Sequence, residues 1–121
     1  SMPFGLRRDG CVVTEFAGGV LLGRSDAMPA GTGKPRACVL GGSGGTVRLS
    51  KRGDHHPADQ AEVVRTALRV AGVQPEEVLY VEANANGTVL GDIFEFETLK
   101  RVYGRPGSTA PLIVGAHTPL L

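Results

Sequence analysis

The sequence predicts an α/β domain, a mixed sheet with helices packed on it, and three observations carry that expectation. From Pro57 to Ala71, the residues Ala61, Val64, Ala67, Leu68 and Ala71 recur at helical spacing, with Glu62, Arg65 and Arg69 on the other flank. Val78-Leu79-Tyr80-Val81 is a short apolar run, β-branched and aromatic, which reads as a buried strand. Finally, helix, strand, helix and strand alternate between residues 57 and 114, an order that favours parallel pairing.

The elements follow in chain order. Ser1-Met2 reads as an expression scar, and residues 3–9 as an irregular lead-in. Gly10 to Leu22 is β-rich but broken by Gly18 and Gly19, so a kinked strand is expected there. Arg24 to Pro35 is a connector in which Pro29, Gly31, Gly33 and Pro35 forbid a long helix. Arg36 to Leu40 reads as a second strand ending in GGSGG, with Thr46 to Leu49 as its extension. The helix at 57–71 has Pro57 in its first turn and Gly72 as its stop. After the strand at Val78, a second helix is expected from Asp92 to Tyr103, ending at Gly104. Leu112-Ile113-Val114 is the final strand.

Composition excludes several function classes. The 121 residues fit one domain, 41% hydrophobic and 21% charged, as in ordinary globular proteins. A net charge of +1, with no basic stripe, gives no case for nucleic acid or an anionic membrane. No apolar run approaches the roughly 20 residues that span a bilayer, and no signal peptide is visible; a cytoplasmic setting is expected. Cys11 and Cys38 lie in apolar strand-like runs and read as buried, unreactive thiols. GGSGG lacks the Lys-Ser/Thr that a phosphate loop needs, since Thr46-Val47-Arg48 follows it. His55-His56 has no second pair at i, i+4, so neither a metal site nor a cofactor is expected.

The stretch from Val78 to Leu99 holds the candidate site. A strand there delivers Asn84, Asn86, Gly87 and Thr88 into a turn ahead of a helix, the place where α/β proteins put their chemistry. Two amides and a threonine occupy it, without an acid, base or nucleophile.

Three blocks of residues resemble the β-ketoacyl synthases, especially the ketosynthase domains of modular polyketide synthases. RDGCVVTEFAGGVLL (Arg8 to Leu22) is similar to the family's RDGFVxGEGAGVLVL, followed by SDAMPAG for SDALADG. Ala61 to Gly104 resembles the family run through YVEA, HGTGT, LGD and VYG. PLIVGAHTPLL (Pro111 to Leu121) resembles PVLLGSVKSNIGH, cut short. The resemblance implies a partial thiolase-like fold. Residues 3–49 would be the β-rich end of its first half and residues 57–121 the αβαβ start of its second.

The family condenses acyl and malonyl thioesters by a decarboxylative Claisen reaction, using a cysteine and two histidines, with a lysine in support. Matched to its motifs, Asn84 stands where the first histidine of HGTGT belongs, and Ala85 and Asn86 replace the next glycine and threonine. Gly87 and Thr88 are retained, and Glu95 matches the glutamate after LGD. Thr118 falls at the lysine of VKSNIGH, with His117 one position before it. Phe16 replaces a glycine of GEGAG, and Cys11 falls where an aromatic usually sits. The nucleophilic cysteine would belong to sequence before residue 1.

Asn84, Asn86, Thr88, Glu95 and Thr118 are thus degenerate motif positions, with no confident catalytic residue among them. Asparagine is no general base, though its NH₂ can donate to an oxyanion. The resemblance implies a truncated, catalytically inactive ketosynthase-like domain serving as a structural or protein-interaction module. Two alternatives stay open: part of an active condensing enzyme with its cysteine supplied elsewhere, and an acyl or acyl-carrier binding module. The partners implied are other polyketide synthase domains, an acyl carrier protein and a second copy of the chain, the last because the sheet would have bare edges.

Overall fold

A computed structural model of the chain describes residues 4–6, 10, 15, 17–27, 31, 33–46, 57–104 and 111–116. Helix α1 spans Pro57–Ala71 and ends in a Schellman motif. Gly72 takes φ 68°, its N–H donates to the Arg69 carbonyl (3.2 Å), and the Val73 N–H donates to the Leu68 carbonyl (3.0 Å). A single 3₁₀ turn, Pro75–Glu77, leads into strand β1, Tyr80–Glu82. The Glu77 carboxylate fixes that turn by accepting the Gln74 N–H at 2.7 Å.

Helix α2, Val89–Tyr103, follows β1 and returns the chain to strand β2, Ile113–Gly115. The two strands pair in parallel, Tyr80 opposite Ile113, Val81 opposite Val114 and Glu82 opposite Gly115. This is the αβαβ order and the parallel pairing expected from the sequence. Helix α2 begins three residues before its expected start at Asp92. Thr88 takes the extended N-cap geometry (φ −82°, ψ 144°), so Asp92 enters the first turn of the helix, where a carboxylate suits the positive end of the helix dipole. At the other end, the Gly104 N–H donates to the Lys100 carbonyl at 2.9 Å; any Cβ at 104 would collide with that oxygen.

α1 packs on α2. Ala61, Ala83, Ala85 and Val102 are buried, with Asp92 and Thr98 as the buried polar side chains. The Thr98 hydroxyl ties the two helices. It lies 2.9 Å from the Phe94 carbonyl, its i−4 partner, and 2.9 Å from Gln60 Oε1 on α1. GGSGG runs along α1, where Cβ atoms at Gly41 and Gly45 would stand 2.8 Å from the Ala71 nitrogen and the Val63 Cγ2. Glycine is needed at 41 because a backbone, which cannot step aside, lies against it.

Three expectations are corrected. The strand expected to be buried at Val78-Leu79-Tyr80-Val81 is β1, shifted to Tyr80–Glu82, and Leu79 and Tyr80 are exposed because the described sheet has only two strands. No strand forms among the described residues of 10–22 and 36–46; Val20, Leu21, Leu22, Val39 and Leu40 are exposed. An apolar run becomes a strand only when a neighbour completes its ladder, and among the described residues the one sheet is β1 paired with β2. Cys38 follows from the same fact: with no strand to bury it, its thiol is exposed. Cys11, residues 47–49, His55-His56, His117 and Thr118 lie outside the described residues. In the connector, Arg24 makes a two-pronged ion pair with Asp26 (3.0 and 2.6 Å), which holds that carboxyl below the usual carboxylate range. Among the described residues no helix is long and apolar enough to cross a membrane, and no cluster is placed to hold a metal ion.

Candidate functional site

The loop from Ala83 to Thr88 leaves the carboxyl end of β1, where open parallel sheets bind ligands. The Ala83 N–H still donates to the Gly115 carbonyl at 2.8 Å, so the loop begins on the sheet. Ala83, Ala85 and Gly87 are then buried, while Asn84 and Thr88 are exposed and Asn86 is half-buried. Such alternation is strand-like, but the backbone is not: Ala85 has φ 32° and Gly87 has φ 77°. For alanine the left-handed region is uncommon, and something must hold it there.

Helix α2 supplies the hold. Glu95 accepts the N–H groups of Asn84 (2.8 Å) and Ala85 (2.7 Å), one on each carboxylate oxygen. One turn earlier on the same face, Asp92 accepts the Gly87 N–H at 3.1 Å. Asn86 Oδ1 accepts both the Thr88 N–H (3.1 Å) and the Thr88 hydroxyl (2.8 Å). This last pair sits over Gly91, where a Cβ would approach the Thr88 hydroxyl to 2.6 Å. A glycine in the first helical turn, ordinarily costly, is what admits the pair.

The chemical consequence is that the N–H groups of 84, 85, 87 and 88 are already committed to side-chain acceptors. None of them is left as an oxyanion donor. The Asn84 side chain is different: it engages no other described residue and lines a cleft of about 560 Å³. Asn86, Glu95, Gln60 and Tyr103 share that cleft, over an apolar floor that includes Val64, Val81 and Phe94. Burial pushes the Tyr103 phenol up, so it stays protonated as a donor.

The structure therefore brings together Asn84, Asn86 and Glu95 on one cleft, with Thr88 bonded to Asn86. Sequence reasoning missed the use of Asp92, Gln60 and Tyr103. A signal for Asp92 was present: two carboxylates three apart, opening a helix after a turn rich in N–H groups.

Residues 41–120 match the family described as "Beta-ketoacyl synthase, C-terminal domain". The chain belongs to that family. It is also 36% identical to the non-reducing polyketide synthase adrD of Penicillium roqueforti over 96% of its length. Identity is 40% over 90% of the chain to a phenolphthiocerol/phthiocerol polyketide synthase of Mycobacterium tuberculosis, and 40% over 83% to the polyketide synthase ThaQ of Burkholderia thailandensis. The chain covers only 5%, 7% and 5% of these relatives' own lengths, respectively. In this member of the family, the loop between β1 and α2 is held in shape by Glu95 and Asp92.

Proposed function

We propose that this ketosynthase domain is catalytically silent and serves a polyketide synthase as a structural or protein-interaction module in the cytoplasm. One observation carries the reading: the loop presents two carboxamides to the cleft, Asn84 at the position matched to the histidine of HGTGT and Asn86 beside it. A carboxamide neither takes nor gives a proton near neutral pH, so the acid–base step of a condensation has no agent there. The N–H groups of 84, 85, 87 and 88 do not replace it as oxyanion donors, because Glu95, Asp92 and Asn86 already accept them. In this reading, residues 3–49 close the first half of a thiolase-like fold and 57–121 open the second. Its partners are other domains of the synthase and a second copy of the chain.

A second reading is favoured by the cleft itself. Its apolar floor and polar rim suit an acyl chain or the acyl arm of a carrier protein, bound without reaction. One experiment separates the readings. The protein is incubated with acyl- and malonyl-loaded carrier proteins, and products and bound species are followed by mass spectrometry. No product and no retained acyl group is the expected result. A retained acyl group or carrier protein would favour the binding module. Carbon–carbon bond formation above the no-protein control would overturn silence and point to an active condensing enzyme.

A further inference from the structure

Asp92 is fully buried, and a buried carboxylate must have each oxygen satisfied. One oxygen accepts the Gly87 N–H from the loop. The other accepts the N–H of Phe4, 88 residues away, at 2.8 Å. Phe4 is held at φ 56°, a backbone state that a bulky residue adopts only under constraint. Its ring adds a second contact, tilted at 52° against Phe96 of α2 with centroids 6.2 Å apart. A third tie comes from Gly10, whose N–H donates to the Gly87 carbonyl at 3.0 Å. Gly87 is therefore gripped on both flanking peptides, one through Asp92 and one directly by the lead-in.

We propose that Asp92 is a positioning residue that couples Phe4 to the loop 84–88, so that docking of Phe4 sets the loop's shape. The two carboxylate oxygens are the coupling element. When Phe4 is lifted, Asp92 loses one of its two buried donors, and its hold on Gly87 no longer has a fixed geometry. Phe4 then acts as a clamp on the candidate site from outside the β1–α2 segment. This coupling holds whether or not the site reacts with anything, so its test is independent of the condensation assay.

The test is residue-resolved amide hydrogen exchange by NMR on the whole chain. Phe4→Pro removes both the donor and the ring contact with Phe96, whereas Phe4→Gly removes the ring but keeps the donor, so the difference between them isolates the hydrogen bond to Asp92. Asp92→Asn leaves one acceptor oxygen for two N–H groups. In Phe4→Pro and Asp92→Asn, exchange at Gly87 is expected to rise by about tenfold or more, while the α1 amides of 61–70 keep their protection. Phe4→Gly is expected to change Gly87 by no more than about twofold. Wild-type protection of Gly87 in Phe4→Pro would overturn the proposal. So would loss of protection in Gly87 and α1 together, which would mark general loosening. Phe4→Pro decides the matter even where Asp92→Asn fails to fold.

Discussion

Tyr80 and Tyr103 are the two tyrosines of the chain, and both hold the phenolic proton above the ordinary tyrosine range, for different reasons. Tyr80 is raised chiefly because its hydroxyl donates to the Glu82 carboxylate, a pair that Gly115 on the neighbouring strand leaves room for. Tyr103 is raised by burial. A folded-state value above the unfolded one means that the folded chain keeps its proton to higher pH. The associated stability is complete below about pH 10 and is lost as pH rises through the folded value. Ultraviolet titration of the phenolates should show both midpoints above the value for free tyrosine, with thermal stability falling over the same range. A midpoint at or below the free value for either residue would contradict the described environments.

At the scale of elements, α2 is a scaffold for the loop that precedes it. Glu95 and Asp92, one turn apart, accept three loop N–H groups, and the left-handed Ala85 persists under that restraint. Glu95→Gln replaces two acceptor oxygens by one and turns an NH₂ toward a donor. The expected cost is about 1–3 kcal/mol in denaturant unfolding, with amide exchange rising first at Asn84 and Ala85. An unchanged midpoint would mean that water replaces the carboxylate without penalty. How much of this was legible differs by residue. Pro57, the apolar spacing of 61–71 and Gly72 bound α1 locally, and their reading matches the helix residue for residue. Asp92 was legible as a helix-start residue but not as a tie, because its second donor is Phe4. Among the described residues of 10–22 and 36–40 no strand forms, for a related reason: an apolar run states its wish for a neighbour, not whether one pairs with it.

For the whole molecule, the question is what covers the sheet. Tyr80 and Ile113, paired across the register, are 47% and 61% exposed, and Val81 on the opposite face lines the helix-walled cleft. Among the described residues the sheet has two strands, so each is an edge strand, a place where further chains add. Covering apolar area contributes about 25 cal/mol per Å², and two-fold association is the simplest way to cover it for a chain of 121 residues. Light scattering coupled to size exclusion should give twice the chain mass at tens of micromolar. Charged replacements at Tyr80 and Ile113 should return it to one. A monodisperse monomer for the parent chain would remove the self-association part of the proposed function.

The sequence by itself determined both helices, the two paired strands and the family, because each is written in local spacing or in contiguous motif blocks. It also placed two carboxamides, Asn84 and Asn86, in the turn ahead of the second helix. Tertiary structure alone decided that the N–H groups of 84, 85 and 87 are taken by Glu95 and Asp92, that Cys38 is exposed, and that Phe4 reaches Asp92. The physical reason is one of range. Periodicity and capping are settled within a turn or two of chain. A backbone donor or a buried carboxylate takes whatever partner the fold brings near it, and here one such partner lies 88 residues away.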